Sequence, residues 1–242
     1  MDCPNGCQGC VEAIRVSIAV VTAFVPIPDH PRAELEYRRL GDRLIKANIT
    51  GAPCMYLEAK LTDCWLYNYL EWRGTEFTHS VSDNPKKNTP AYHIVQSQKS
   101  EFLLDAARVN PHADVFVWID FGIFHLRGMS EQIIVDFLNR AQNEQAITIP
   151  GCWSLPYKYD DAHPCWRFCG GVMIVPRKHV IEFDVAMKAE YLRWIKLTNN
   201  LSWEVNCLAR LEQQQPDFPL WWYKADHTAS MFTNYQKVHH DE

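Results

Sequence analysis

The sequence predicts a single α/β domain with a mostly parallel central sheet flanked by helices. Its length of 242 residues suits one domain with a sizeable core. Strand-like apolar runs alternate with stretches of helical spacing along the chain. The run Val115-Phe-Val-Trp-Ile119 is continuously apolar and rich in β-branched and aromatic residues, as in a strand buried on both faces. Asp120 ends this run, which places a carboxylate at the carboxyl edge of the sheet, where open α/β sheets bind ligands. Such a carboxylate needs a partner. A cation would serve, and so would a turn or a nearby Arg.

Composition narrows the function classes. A hydrophobic content of 47% with 22% charged residues describes a globular chain. The net charge of -5, with no basic run, argues against a nucleic-acid protein. No apolar stretch is long enough for a transmembrane segment. The start, Met-Asp-Cys-Pro-Asn, lacks the basic-then-apolar order of a signal peptide, so a cytoplasmic location with nine reduced cysteines is expected.

The elements follow in order. Cys3, Cys7 and Cys10 form C-x3-C-x2-C, a spacing able to hold an iron–sulfur cluster. The motif precedes the first strand and no barrel of repeated units follows, so residues 1–14 read as a flexible tail with incidental thiols, or a loose zinc site. Residues 15–25 read as the first strand, stopped by Pro26, Pro28 and Pro31. No G-x-G-x-x-G or P-loop follows, which argues against classical dinucleotide binding and P-loop NTPases. Leu35, Leu40, Leu44 and Ile45 give residues 32–47 an apolar helical face. Residues 52–59 read as a second strand, residues 61–70 as strand or helix, and residues 74–90 as a long polar surface loop. Residues 92–108 have helical spacing, with Lys99 inside.

Beyond the central strand, residues 130–142 read as a helix and residues 146–150 as a short strand. Residues 152–167 mix Trp153, Tyr157, Tyr159, Asp160, Asp161, His163 and Trp166, which suits either sugar recognition or a packed loop. Gly170 and Gly171 enter a buried strand at residues 168–175, marking either a close approach by another backbone or a ligand, or a simple bulge. Residues 177–196 and 203–213 read as helices. Ser202 is the expected N-cap of the second, with Glu204 in its first turn. Residues 219–223 form a last strand leading to His227, and the tail from residue 233 to residue 242 is polar and expected to be loose.

Several stretches together resemble one family plan. Ile18-Ala-Val-Val-Thr-Ala-Phe24 is similar to the opening strand of a GT-A (Rossmann-like) glycosyltransferase, which implies Thr22, Ala23 and Phe24 at the nucleotide base. Val117-Trp-Ile-Asp-Phe-Gly122 resembles the strand carrying that fold's D-x-D motif, with Trp118 and Asp120 in the donor site. Phe168-Cys-Gly-Gly-Val-Met-Ile-Val175 resembles a strand of glycogenin-like transferases that lines the sugar site, at Gly170 and Gly171. Ser202-Trp-Glu-Val-Asn-Cys-Leu208 resembles the helix start that follows it, and His227 stands where such enzymes place a metal-binding histidine. The nearest likeness is to HtrL/YibB-type proteins, through Lys87-Asn-Thr-Pro, Tyr92, Gln98-Lys99 and Trp118-Ile-Asp.

The resemblance covers most of residues 15–232 and implies a glycosyltransferase, hexosyl or pentosyl, using a nucleotide-sugar donor, expected to be a UDP-sugar, and a glycan or other hydroxyl acceptor. It implies Mn²⁺, or Mg²⁺, held by Asp120 and His227, with Lys99 on the phosphates and acid–base work at Glu204, Asp160 or Asp161. One position departs from the pattern: the second D-x-D aspartate is Gly122. That departure sustains an alternative, a non-catalytic GT-A-like domain that binds a nucleotide sugar or glycan.

Overall fold

The computed structural model describes residues 17–27, 34–46 and 59–236. Residues 52–58 of the expected second strand (52–59), the thiols Cys3, Cys7 and Cys10, and the chain ends lie outside the described residues.

The first elements are β1 (Ile18–Val21), α1 (Glu34–Lys46), α2 (Trp65–Arg73) and the short β2 (Thr78–His79). Next come α3 (Pro90–Ser97), α4 (Lys99–Val109), β3 (Val115–Ile119) and α5 (Glu131–Ala141). Strands β4 (Ile147–Gly151) and β5 (Val172–Pro176) precede the long α6 (Arg177–Thr198). The chain closes with β6 (Asn200–Leu201), α7 (Glu204–Gln214), β7 (Leu220–Lys224) and α8 (Ser230–Thr233).

The main sheet has the order β1-β3-β5-β4-β7. β1 pairs parallel to β3 and β4 parallel to β7, whereas β5 runs antiparallel to both its neighbours. Four of the five strands therefore point the same way, the mostly parallel sheet that was expected, with one reversed strand. The reversal follows from the chain path, because β5 runs back from the edge that β4 and the loop after it have reached. Both faces of the sheet are covered. Phe116, Trp118, Met173 and Val175 face a core shared with α4, α6 and α7. Val115, Val117, Ile119, Val172 and Ile174 face a second core with α5, α8 and Leu44 of α1. Side chains alternate across a strand, so a strand sandwiched between helices must be apolar at every position. The two cores explain the unbroken run of β3.

Local chemistry sets the helix starts. Thr89 Oγ1 accepts from the Tyr92 N–H at 3.2 Å, with Pro90 at the first helical position of α3. Ser130 Oγ accepts from the Ile133 N–H at 3.3 Å and caps α5. Residues 65–73 settle the strand-or-helix choice as helix, closed by Gly74 at φ 62°.

Four expectations are corrected. The single helix over 92–108 is two, because the turn tightens at Gln98, whose N–H reaches Val95 O at 3.2 Å. The polar loop 74–90 contains β2, which pairs with β6 in a separate two-stranded sheet. Trp203, not Ser202, is the N-cap of α7, and Ser202 Oγ instead accepts from Arg210 at 3.3 Å. The expected tail begins too early, since Tyr235 is 1% exposed and its hydroxyl bonds Glu144 at 2.7 Å. No helix among the described residues is long and apolar enough to cross a membrane.

Candidate functional site

Strand direction gathers chemistry at one edge. The carboxyl ends of β1, β3, β4 and β7 and the amino end of β5 fall on the same side, because Val21 pairs with Trp118, Ile119 with Val172 and Gly151 with Lys224. Thr22–Phe24, Asp120, Cys152, Cys169–Gly171 and His227 all stand there.

Lys99 sits at the centre. At the first turn of α4 it is 4% exposed, and its ammonium donates to Gly170 O at 2.9 Å and to Glu204 Oε1 at 2.9 Å. It also pairs with Asp120 Oδ1 at 3.2 Å. An ammonium has three N–H donors and all three are used. Lys99 was expected on phosphates, yet it is not left free to meet one. It holds two carboxylates and a backbone carbonyl together. Burial works against its charge, but Asp120 and Glu204 outweigh that cost and raise the ammonium above its ordinary range.

Asp120 is fixed from a second side. Trp118 Nε1 donates to its Oδ1 at 2.7 Å, and the Trp118 ring stacks on Phe102 of α4 with centroids 6.1 Å apart. Both contacts fall on Oδ1. Among the described residues Oδ2 has no hydrogen-bond donor, and the Asp120 side chain is 33% exposed. This is the reachable member of the cluster.

Glu204 is the buried member, at 5% exposed. Its Oε1 meets Lys99, while Oε2 is buried with no hydrogen-bond partner among the described residues. The glycine pair makes room for it. A Cβ on Gly170 would lie 2.2 Å from Glu204 Oε1, whereas one on Gly171 would be 3.7 Å from Asp120 Oδ2. The group that approaches Gly170 is a side chain, where another backbone or a ligand was expected.

At the end of β1, Phe24 stacks on Phe121 at 5.5 Å and meets Tyr37 at 5.3 Å. Gly41 of α1 makes this possible, since a Cβ there would fall 1.9 Å from the Phe121 ring. Thr22 Oγ1 is buried without a partner among the described residues, and Ala23 packs against the core on the α4 face.

The two expected metal ligands fall into different groups. Asp120 belongs to the Lys99 cluster. His227 stands beside two thiols, with its Nδ1 3.7 Å from Cys152 Sγ, and Cys152 Sγ is 3.6 Å from Cys169 Sγ. The shared hydrogen bond lowers the Cys152 thiol and raises that of Cys169, which is also fully buried. Trp166 packs edge-on against the His227 ring at 4.3 Å.

Asp160 and Asp161 lie in a third place. Asp160 accepts from the Ala162 and His163 backbone at 3.0 Å each and pairs with the His163 ring at 2.9 Å, all at the surface. Asp161 pairs with Arg210, whose Nε bonds buried Glu190 at 2.6 Å. Asn206 joins the same seam, accepting from Cys165 N at 2.7 Å and donating to His163 O at 2.9 Å. The aromatic–acidic loop is tied down at Asp161 and again where Arg167 grips Glu212 at 2.6 Å. Neither aspartate joins the Lys99 cluster.

Sequence reasoning missed the thiol–imidazole group, the Arg210–Glu190 pair and the Phe24–Tyr37–Phe121 cluster. In each case the members come from separate segments that only tertiary packing brings together, strand pairing for the thiols and His227 and helix packing for Arg210 and Glu190. Two concavities, of about 390 and 660 Å³, are lined by neither Asp120, Lys99 nor Glu204.

No protein-family model and no curated protein matches the chain. Among solved structures it is similar to a crystal structure of a glycosyltransferase involved in the glycosylation of the major capsid of PBCV-1. The two are 14% identical, the match covers 87% of this chain and 81% of that one, and the TM-score is 0.48.

Proposed function

We propose that the chain is a glycosyltransferase that moves a sugar from a nucleotide-sugar donor, a UDP-sugar in the first instance, to a hydroxyl of a glycan or other acceptor. The observation that carries this reading is the Asp120–Lys99–Glu204 cluster, placed at the carboxyl edge of β3 against Gly170. The sequence resemblance to GT-A transferases puts the D-x-D carboxylate at this position.

The roles follow from exposure. Asp120, the reachable carboxylate, faces the donor. Lys99 holds Asp120 and Glu204 in register and is a positioning residue. Glu204 Oε2 is a buried oxygen without a donor among the described residues, which suits a base for an acceptor hydroxyl once substrate excludes water. Phe24 and Thr22 stand at the end of β1, where the resemblance places the base.

Mn²⁺ or Mg²⁺ is the group the resemblance implies. Two carboxylates against one ammonium leave a net charge of about −1 with Asp120 Oδ2 open, a set that fits a hard cation better than a bare diphosphate. Asp120 would hold it, and the bound cation would supply Lewis-acid stabilisation of the departing diphosphate. His227 stands with Cys152 and Cys169 instead. Gly122 favours a second reading, donor binding without turnover, because the D-x-D pattern keeps only one carboxylate.

Release of nucleoside diphosphate from a panel of sugar nucleotides separates the two readings. The transferase reading expects slow release that falls on the order of 10²–10³-fold in Asp120→Ala. Donor binding without any release would favour the second. Turnover in Asp120→Ala equal to wild type would remove the cluster from the reaction.

A further inference from the structure

Cys152, Cys169 and His227 come from three separate segments: the end of β4, the entry to β5 and the turn after β7. Strand pairing brings them together. Gly151 pairs with Lys224, and the Cys169 N–H donates to Pro150 O at 2.6 Å. The Lys224 ammonium donates to Cys152 O, and the Asp226 N–H bonds Ser230 Oγ at 2.9 Å, so the turn that carries His227 is itself held. Two sulfurs and one ring nitrogen converge, all within 4.8 Å of one another.

The spacing matches a tetrahedral ion. Zn–S bonds of about 2.3 Å and Zn–N bonds of about 2.0–2.1 Å set S···S edges of about 3.8 Å and S···N edges of about 3.6 Å. Two of the three edges match, at 3.6 Å between the sulfurs and 3.7 Å from Cys152 Sγ to His227 Nδ1, and the third, from Cys169 Sγ to His227, lies within 4.8 Å. A disulfide needs its sulfurs at about 2.0 Å, so the pair stands apart as two free thiols.

We propose that Cys152, Cys169 and His227 form a binding site for a borderline-soft divalent cation, Zn²⁺ being the fitting ion, separate from the Asp120 cluster. Thiolate and imidazole ligands select zinc over the hard cations that suit Asp120. The ion takes both sulfurs as thiolates and the imidazole in its neutral form. Among the described residues no fourth Cys, His, Asp or Glu joins the group. His227 is exposed and Cys152 half-buried, so the fourth position opens toward solvent for water or a small anion. Cys169 directly precedes Gly170, whose carbonyl Lys99 holds, so the ion would brace the wall of the neighbouring cluster.

The test is titration of the reduced, metal-free full chain with Co²⁺, displaced by Zn²⁺. The expected result is a thiolate-to-cobalt absorption with the visible bands of tetrahedral cobalt. Cys152→Ala and His227→Gln should each weaken Zn²⁺ binding by more than the roughly 10–100-fold that loss of a supporting partner costs. Both positions are at least partly exposed, and metal-free melting matched to wild type confirms that the variants fold. A Cys3→Ser/Cys7→Ser/Cys10→Ser variant should keep the signal, as should Asp120→Ala. The proposal is overturned by absence of a cobalt–thiolate band. It is equally overturned by a band indifferent to Cys152→Ala and His227→Gln, or lost with the three N-terminal thiols.

Discussion

Lys99 and Glu204 meet at 2.9 Å with side chains only 6% and 7% exposed, and Asp120 closes on the same ammonium from the rim. A buried pair of this kind is costly to break from one side, because the remaining charge has neither water nor partner. Lys99→Met strands two carboxylates. Denaturant unfolding should show a loss of about 3–5 kcal/mol at neutral pH, the size that breaking a buried pair usually costs. Stability within about 1 kcal/mol of wild type would mean that the cluster is not held by this ammonium.

The two neighbouring glycines should respond differently to a single methyl group. Gly170→Ala drives a Cβ to 2.2 Å from Glu204 Oε1, so it should cost about 1–3 kcal/mol and displace the carboxylate. At Gly171 the nearest atom is Met231 Cε at 3.5 Å, an ordinary contact, and the fold should lose less than about 0.5 kcal/mol. Thermal melts of the two variants side by side decide the matter.

The roles of the acidic pair in the loop are separable from chemistry. Asp160→Ala touches only surface contacts with Ala162 and His163 and should leave donor turnover within about twofold of wild type. Arg210→Met takes one of two guanidinium partners from buried Glu190, which keeps Arg193 at 2.9 Å, and frees Asp161, so it should cost about 1–3 kcal/mol. A large turnover defect in a well-folded Asp160→Ala would return that aspartate to the reaction.

His93 makes stability pH-dependent. It is 0% exposed, packs on Trp203 at 5.0 Å, and burial lowers its pKa to about 4. A histidine held down in the fold stays neutral there while the unfolded chain takes up a proton. It contributes nothing above the unfolded value of about 6.5, and stability falls as pH drops from there to about 4. The full loss is about 3 kcal/mol, at about 1.4 kcal/mol per unit. The pH dependence of unfolding should flatten over that window in His93→Gln relative to wild type; equal slopes would contradict the assignment.

Much of this arrangement is legible in the residues. Strand β3 reads directly because five apolar residues in a row suit only a strand covered on both faces, and Asp120 at its end follows from strand direction. Glu204 and Lys99 are legible as candidates, but not as partners, since 105 positions separate them and only the meeting of the first turns of α4 and α7 joins them. A lysine within a helical pattern is far more often solvated than buried. Ser202 misleads for a related reason, because a serine before a helix promises a cap while tertiary contact with Arg210 claims it. His227 reads as a ligand, yet its neighbouring sulfurs come from segments that no local spacing links.

The central claim is that Asp120 and its neighbours form a sugar-nucleotide donor site. Calorimetric binding of UDP, GDP, CMP and their common sugars, first with Mn²⁺ and then with EDTA, tests it most directly. The account predicts that one nucleoside diphosphate and its sugars bind with the cation, and that binding is lost both in EDTA and in Asp120→Ala. Absence of binding by every nucleotide, or binding untouched by Asp120→Ala, would contradict it.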